Sequence, residues 1–154
     1  MPSLDALLTQ ENPSGLYRLD WTGDPAALAE TVAARGWRVF FLDGRRAVDK
    51  PSFLRLAAEA MAFPGYFGWN WDAFEECLTD LAWVPAAGYL ILYEDPVTLA
   101  AHAPEVWATA YAILADAVET WRQTATPMVI LLRGGDHLLA HLPAVTVTPG
   151  EEQV

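Results

Sequence analysis

Residues 63–81, FPGYFGWNWDAFEECLTDL, concentrate the side chains of this sequence that could do chemistry. They include Asp72, Glu75, Glu76 and Asp80, and they contain no Lys or Arg. Paired carboxylates can act as general acid and base in hydrolysis, and Asp72 with Glu76 could bind a hard cation. An enzyme also needs a cleft and an activated nucleophile. Because the sequence marks neither, we expect no catalytic residue, and a carboxylate-dependent hydrolase is kept as an alternative.

Three of these acids follow one another at four-residue spacing. Asp72, Glu76 and Asp80 would share one face of a helix, where like charges four apart cost about 0.2 to 0.5 kcal/mol per pair. A solvated helix face usually mixes both signs of charge, whereas this one is purely acidic and follows a loop rich in aromatic residues. The pattern favours a surface whose complement is another molecule. An acidic helix without a partner is the alternative.

The charge of the whole chain is distributed unevenly. The net charge is -11, and residues 56–121 contain no Lys or Arg. A field of this sign repels nucleic acid and anionic lipid, and it accelerates association with a basic partner. Acidity can also serve solubility alone. The ten acids of this span are Glu59, Asp72, Glu75, Glu76, Asp80, Glu94, Asp95, Glu105, Asp116 and Glu119.

Length and composition indicate one globular domain over residues 1–154, with 53% hydrophobic residues. No apolar run reaches the roughly 18 to 20 residues that span a bilayer, and the first residues lack a basic start and an apolar segment. We therefore expect a cytoplasmic protein, which the single Cys77 also fits. His137 and His141 lie four apart but lack the glutamate of the zinc-protease pattern. We expect no metal site and no cofactor.

Strand and helix patterns alternate along the chain, which predicts an α/β fold with a mainly parallel sheet. The apolar run at 37–43 is typical of a strand covered on both faces. The strands are expected at 15–21, 37–43, 88–94 and 127–133, with an edge strand at 144–148, and the helices at about 25–35, 50–63, 71–81, 96–102 and 104–123.

The helix at 71–81 has two possible beginnings. Asn70 lies where an N-cap belongs, with Asp72 in the first turn; alternatively, Asp72 is the cap and Glu75 completes a capping box. In either case the apolar residues recur at helical spacing and form the buried face. This buried row consists of Phe74, Cys77, Leu78 and Leu81. Cys77 is thus expected to be a core thiol and not a nucleophile.

The same stretch resembles the barstar family, whose members inhibit the bacterial ribonuclease barnase inside the cell. The family pattern is a Pro, an aromatic pair and Gly, then Asn-x-Asp-Ala, then an acid, Cys, Leu and Thr. The matching residues are in register without a gap: Pro64, Tyr66, Phe67, Gly68, Asn70, Asp72, Ala73, Glu76, Cys77, Leu78 and Thr79.

The resemblance implies a three-stranded parallel sheet packed with helices, spanning about residues 38–133. An extra strand and helix at about 14–36 would enlarge it, and a tail at about 134–154 would follow. It further implies a protein without enzyme activity that binds a basic ribonuclease of the barnase type in a 1:1 complex. In the family, the loop and helix of this motif plug the active site of the nuclease. A barstar-like module with a basic partner that is not a nuclease is the alternative.

The residues that the resemblance and the acidic pattern together assign to partner binding lie in this loop and helix. The sequence departs from the family at several places: Glu76 replaces the key aspartate, Glu75 replaces a tryptophan, and Asp80-Leu81 replaces Gly-Trp. Trp69 and Trp71 also stand where the family has other residues. The acidic pair late in the last family helix has an approximate counterpart in Glu119. The predicted contact residues are Tyr66, Asn70, Trp71, Asp72, Glu75, Glu76, Thr79 and Asp80.

Overall fold

Five parallel strands form one sheet in a computed structural model that describes residues 1–148, apart from the side chain of Asp136. The predicted tail beyond residue 148 lies outside the described residues. In chain order the elements are α1 (Leu4–Leu8), β1 (Gly15–Leu19), α2 (Pro25–Ala33), β2 (Arg38–Asp43), a 3-10 turn (Gly44–Arg46), α3 (Lys50–Met61), α4 (Trp71–Leu78), β3 (Tyr89–Glu94), α5 (Pro96–His102), α6 (Pro104–Arg122), β4 (Met128–Arg133), α7 (Asp136–Leu139) and β5 (Ala144–Val145).

The strand order is β2-β3-β4-β1-β5, and each neighbouring pair is parallel. The predicted α/β fold with a mainly parallel sheet is therefore confirmed. The strands β2, β3 and β4 lie side by side, as the resemblance implied, and β1 adds to the free side of β4. The strand of the predicted N-terminal unit thus belongs to the same sheet, and its helix α2 packs on one face of that sheet.

Local capping explains why the helices begin where they do. The Asp24 carboxylate accepts a hydrogen bond from the Ala26 N–H, and Pro25 occupies the first helical position of α2. Asp49 and Ser52 form a reciprocal capping box at the start of α3. Each of these interactions is made within a few residues, which is why the sequence pattern predicted these starts.

The sheet is covered on both faces, and each face has its own apolar core. On one face, α3, α4, α5 and α6 pack on the side chains of Tyr89, Ile91 and Tyr93. On the other face, α1 and α2 pack on Leu90 and Leu92, which alternate with them along β3. The central strands are therefore buried on both sides, as parallel strands usually are.

The prediction that the strand at 37–43 is covered on both faces is wrong. This strand is β2, which lies at an edge of the sheet, and its Phe41 side chain is 45% exposed. The short helix α1 was not predicted at all. Ser3 caps it, and Leu4, Leu7 and Leu8 are buried against the sheet. No helix among residues 1–148 is both long and apolar enough to cross a membrane.

Candidate partner-binding surface

The loop before α4 is built on one buried aromatic ring. Phe67 is 5% exposed, and its ring centroid lies 5.0 Å from that of Phe63. The Trp69 ring stands edge-on to Phe67 at 4.9 Å, and the Trp69 backbone has a left-handed φ of 57°. Few non-glycine residues adopt this conformation. Trp69 consequently turns outward and is 56% exposed.

Asn70 ends the loop and begins the helix. Its side-chain oxygen accepts a hydrogen bond of 2.8 Å from the Ala73 N–H, and its amide nitrogen lies 3.3 Å from the Gly68 carbonyl oxygen. Asn70 is therefore the N-cap, and the alternative in which Asp72 caps the helix and Glu75 completes a capping box is wrong. Asp72 instead lies in the first turn, where a negative charge complements the helix dipole.

The helix α4 ends at Leu78, three residues earlier than predicted. The Asp80 N–H bonds to the Cys77 carbonyl, and Leu81 has a left-handed φ of 53°. Asp72 and Glu76 thus share a helix, whereas Asp80 belongs to the turn that follows. The prediction that these three acids occupy one helical face is wrong for Asp80, because the backbone bends before the third turn can form.

Four exposed carboxylates extend along α4 and the following turn, and we call them the acidic surface: Asp72, Glu75, Glu76 and Asp80. Within residues 1–148, none of them forms an ion pair with a basic side chain. Some other acids of the basic-free span are paired, among them Glu59 with Arg46 and Glu94 with Arg133, whereas Glu105 and Asp116 form no ion pair among the described residues. The negative charge of the acidic surface is therefore left uncompensated by the protein itself.

Three side-chain hydrogen bonds, one of them fully buried, hold the C-terminal end of α4 and the chain that follows it. The Trp121 indole N–H donates to the Leu78 carbonyl at 3.0 Å, and the Thr79 hydroxyl donates to the Glu75 carbonyl at 2.8 Å. The Tyr89 hydroxyl donates to the Val84 carbonyl at 2.8 Å and holds the chain after the turn. The Trp121 donor satisfies a carbonyl group of the last turn that the helix itself leaves unpaired, whereas the Glu75 carbonyl also accepts the Thr79 N–H. The backbone that carries the acidic surface is therefore held in one place.

Tyr66 lies over the acidic surface and is 69% exposed. The pKa of its hydroxyl is raised, first by partial desolvation and then by the nearby Asp80, Cys77 and Glu76. The phenol ring and two carboxylates of the acidic surface are consequently neighbours. A partner that binds these carboxylates would also contact the Tyr66 ring.

Cys77 has the properties of a core residue. Its side chain is 3% exposed, and burial raises the pKa of its thiol, with Glu76 and Asp80 raising it further. A nucleophilic cysteine needs the opposite shift, because the thiolate is the reactive form. The predicted burial of Cys77 is therefore confirmed, and Phe74, Leu78 and Leu81 of the same row are also buried.

Trp71 is less available than the other predicted contact residues. Its ring packs between Phe53, at 5.8 Å, and Phe74, at 6.2 Å, and the Lys50 ammonium lies 5.5 Å from its centroid. Trp69, which was not assigned to the contact set, is far more exposed. Gly68 before it and the Asn70 cap after it mark a turn, but they do not reveal which way the Trp69 ring points.

Residues outside this region do not join the acidic surface. The Glu119 carboxylate is paired with Arg122 at 3.0 Å, which neutralises its charge. The Tyr111 hydroxyl lies 2.8 Å from His141 Nε2. The described part of the chain contains no group of three or more His, Cys, Asp or Glu side chains placed to hold a metal ion.

Comparisons with known proteins agree with this fold. The family model described as Barstar (barnase inhibitor) matches residues 37–133, and no curated protein matches the sequence. One similar solved structure is that of the Aeropyrum pernix ORC2 protein in ADPNP-ADP complexes, with 13% identity and a TM-score of 0.59. The match covers 95% of this chain and 44% of that chain, so this chain spans less than half of the ORC2 protein. At this identity the likeness concerns the fold alone.

Proposed function

The chain belongs to the barstar family, and on this premise we propose that it binds a basic ribonuclease of the barnase type and blocks its active site. The acidic surface and the loop before it would form the contact. Because a ribonuclease binds the phosphates of RNA with cationic side chains, carboxylates placed at the same positions can occupy that site without being cleaved. The proposed activity is inhibition by binding, with no catalysis, and the proposed place of action is the cytoplasm.

One observation carries the proposal: the acidic surface is exposed, has no ion pair among the described residues, and lies on a backbone held by the buried Trp121–Leu78 hydrogen bond and the exposed Thr79–Glu75 hydrogen bond. This arrangement does not stabilise the free protein, because like charges on adjacent turns of a helix repel. A complex gains from it, because the carboxylates are already positioned and little conformational freedom is lost on binding. Tyr66 and Trp69 add exposed aromatic surface, which is typical of interface residues.

Glu76 is the residue on which we place the central contact. It stands at the position of the key family aspartate and is one methylene longer. Its backbone is held on one side by the Asn70 cap and on the other by the Thr79 hydroxyl, which also lies 3.3 Å from the Glu76 carbonyl. The exposed side chain can adjust its rotamer to present both oxygens to an arginine of the partner.

Nucleotide binding, which the ADPNP-ADP complexes of the ORC2 protein would suggest, is not supported by the residues of this chain. A phosphate-binding loop of the G-x-x-x-x-G-K-[ST] type needs a lysine after its second glycine. The single lysine of the sequence is Lys50, and Pro51 follows it. Lys50 also lies over the Trp71 ring.

An RNA-cleavage assay tests the proposal directly. A barnase-type ribonuclease is titrated with the protein, and calorimetry measures stoichiometry and affinity. We expect inhibition that is complete at one equivalent. Raising the salt concentration should slow association, because the chain and its partner carry opposite charges. Binding at one equivalent without inhibition would favour a basic partner that is not a nuclease, an alternative that the departures at Glu75 and Asp80 support.

The variant Glu76→Gln, with Glu105→Gln as its control, locates the contact. Both changes remove one negative charge, and Glu105 is exposed and lies in the first turn of α6. We expect Glu76→Gln to weaken the complex by about 2 kcal/mol or more, as a central contact does, and Glu105→Gln to have little effect. Unchanged affinity in Glu76→Gln, or equal losses in both variants, contradicts the assignment. RNA cleavage by the protein alone that Glu76→Gln abolishes would instead indicate a hydrolase.

A further inference from the structure

A groove of about 580 Å³ lies beside the acidic surface, where the first two turns of α3 meet the loop before α4. Most of its surface is apolar. We call it the α3 groove, and the residues that line it are Lys50, Pro51, Leu54, Arg55 and Trp69. Its volume is within the range of sites that hold a small ligand or a few side chains.

The Trp69 wall of the α3 groove is held in place by its neighbours. The indole ring packs edge-on against the buried Phe67, and the left-handed backbone at Trp69 lies between Gly68 and the Asn70 cap. A large aromatic ring that is exposed and yet fixed loses little freedom when a partner covers it. Trp69 is therefore suited to be one side of a binding groove.

Charge distinguishes the α3 groove from the acidic surface next to it. Of the nine basic residues, six form ion pairs, and among the described residues Arg38, Lys50 and Arg55 form none. Two of these three line the α3 groove. Asp49, the N-cap of α3, accepts hydrogen bonds from the Ser52 N–H and hydroxyl, and these bonds, together with the charge of Arg55, lower the pKa of its carboxyl group. Lys50 lies over the Trp71 ring and Arg55 interacts with Asp49, but neither forms an ion pair within residues 1–148, so both can still bind an external carboxylate.

We propose that the α3 groove binds a segment of the partner protein that carries a carboxylate beside an apolar side chain. Pro51, Leu54 and Trp69 would cover the apolar side chain, and Lys50 and Arg55 would face the carboxylate. The proposal rests on the proposed function, since the partner is the same nuclease. That nuclease would then present a basic centre to α4 and an acidic, apolar segment to α3. A nucleotide, whose phosphate could face the same two cations, is the alternative that a titration with uridine monophosphate tests.

The sign of a charge-reversal effect tests this proposal in the complex. Arg55→Glu makes the protein more negative, which by overall charge alone should strengthen binding to a basic nuclease. If the groove holds a partner carboxylate, Arg55→Glu instead weakens the complex by about tenfold. Arg38→Glu is the matched control, because Arg38 also forms no ion pair but lies on β2, away from the α3 groove. Equal or tighter binding by Arg55→Glu overturns the proposal.

A second measurement needs no nuclease and so separates failure of this proposal from failure of the proposed function. The indole N–H of Trp69, assigned in NMR spectra with Trp69→Phe, is followed during titration with acetyl-Leu-Glu-amide. We expect a saturable shift that acetyl-Leu-Gln-amide does not reproduce and that Arg55→Glu removes. No saturable shift, or a response to uridine monophosphate alone, overturns the groove assignment. A wild-type protein that shows the shift but does not inhibit a ribonuclease contradicts only the proposed function.

Discussion

The Asn70 side chain is the local feature on which the start of α4 depends. In Asn70→Ala the Ala73 N–H loses its 2.8 Å acceptor, and the contact with the Gly68 carbonyl is also lost. In Asn70→Asp an oxygen remains to accept the Ala73 hydrogen bond, and a negative charge is added at the positive end of the helix dipole. Both variants lose the amide contact with Gly68, and only Asn70→Asp keeps an oxygen for the Ala73 N–H, so their comparison tests the cap oxygen.

The size of the effect can be worked out from the short length of α4. Loss of an N-cap costs about 1 kcal/mol, and a helix of eight residues cannot restore that by propensity. Asp72 stabilises the first turn, but Glu76 one turn later repels it by about 0.2 to 0.5 kcal/mol. We expect Asn70→Ala to lower the free energy of unfolding by about 1 kcal/mol and Tm by about 2 to 4 °C. Asn70→Asp should stay within about 0.5 kcal/mol of wild type.

Urea unfolding followed by circular dichroism, together with a ribonuclease titration, measures both consequences. Asn70→Ala should also weaken the nuclease complex by about 1 kcal/mol, because the acidic surface must be ordered again on binding. Equal destabilisation by Ala and Asp would show that the oxygen is not the cap. Full stability of Asn70→Ala would show that packing alone positions α4, and that the start of this helix does not depend on the Asn70 cap.

Three further changes test other parts of the structure. Trp121→Phe removes the indole donor to the Leu78 carbonyl and should cost about 1 to 3 kcal/mol in urea unfolding; retained stability would contradict the buried bond. Tyr93→Phe removes a buried hydroxyl that has no protein hydrogen-bond partner among the described residues, so it should be neutral or stabilising. Burial raises the pKa of the Tyr93 hydroxyl. The contribution of this shift to the free energy of unfolding is fully present below about pH 10 and is lost as the pH rises further. Tyr93→Phe should therefore resist alkaline unfolding better than wild type, and an unchanged alkaline midpoint would contradict this. Asn12→Ala breaks the bonds from Asn12 to the Arg122 and Thr124 carbonyls and should lower Tm, whereas a disposable N-terminal segment would leave Tm unchanged.

The elements that the sequence predicted are those determined by neighbouring residues. The caps Asp24, Asp49 and Asn70 each accept a hydrogen bond from a backbone N–H at most three residues further along the chain. Their role can therefore be predicted from the sequence. The helix α1 also carries such a signal, with Ser3 as cap and leucines at helical spacing. A helix of five residues is not stable by itself, however, and α1 forms because the sheet covers its leucines.

Features that depend on distant residues could not be predicted in the same way. The exposure of Phe41 follows from the position of β2 at the sheet edge, which no local pattern reveals. The early end of α4 depends on Trp121, which is 43 residues away from Leu78 in the chain. At the acidic surface, the types and exposure of the residues followed from the sequence, whereas the path of the backbone past Leu78 did not. The assignment of these residues to a partner contact stays a prediction.

The position of β1 has a consequence for the order of folding. This strand precedes β2 and β3 in the sequence, yet its neighbours in the sheet are β4 and β5, which follow them. Contacts between residues so far apart close slowly, because a long loop must be ordered before they form. Until β4 is in place, β1 lacks a strand neighbour that it pairs with over four residues, and the apolar side chains of β1 and α1 lack the cover of Val129 and Leu131.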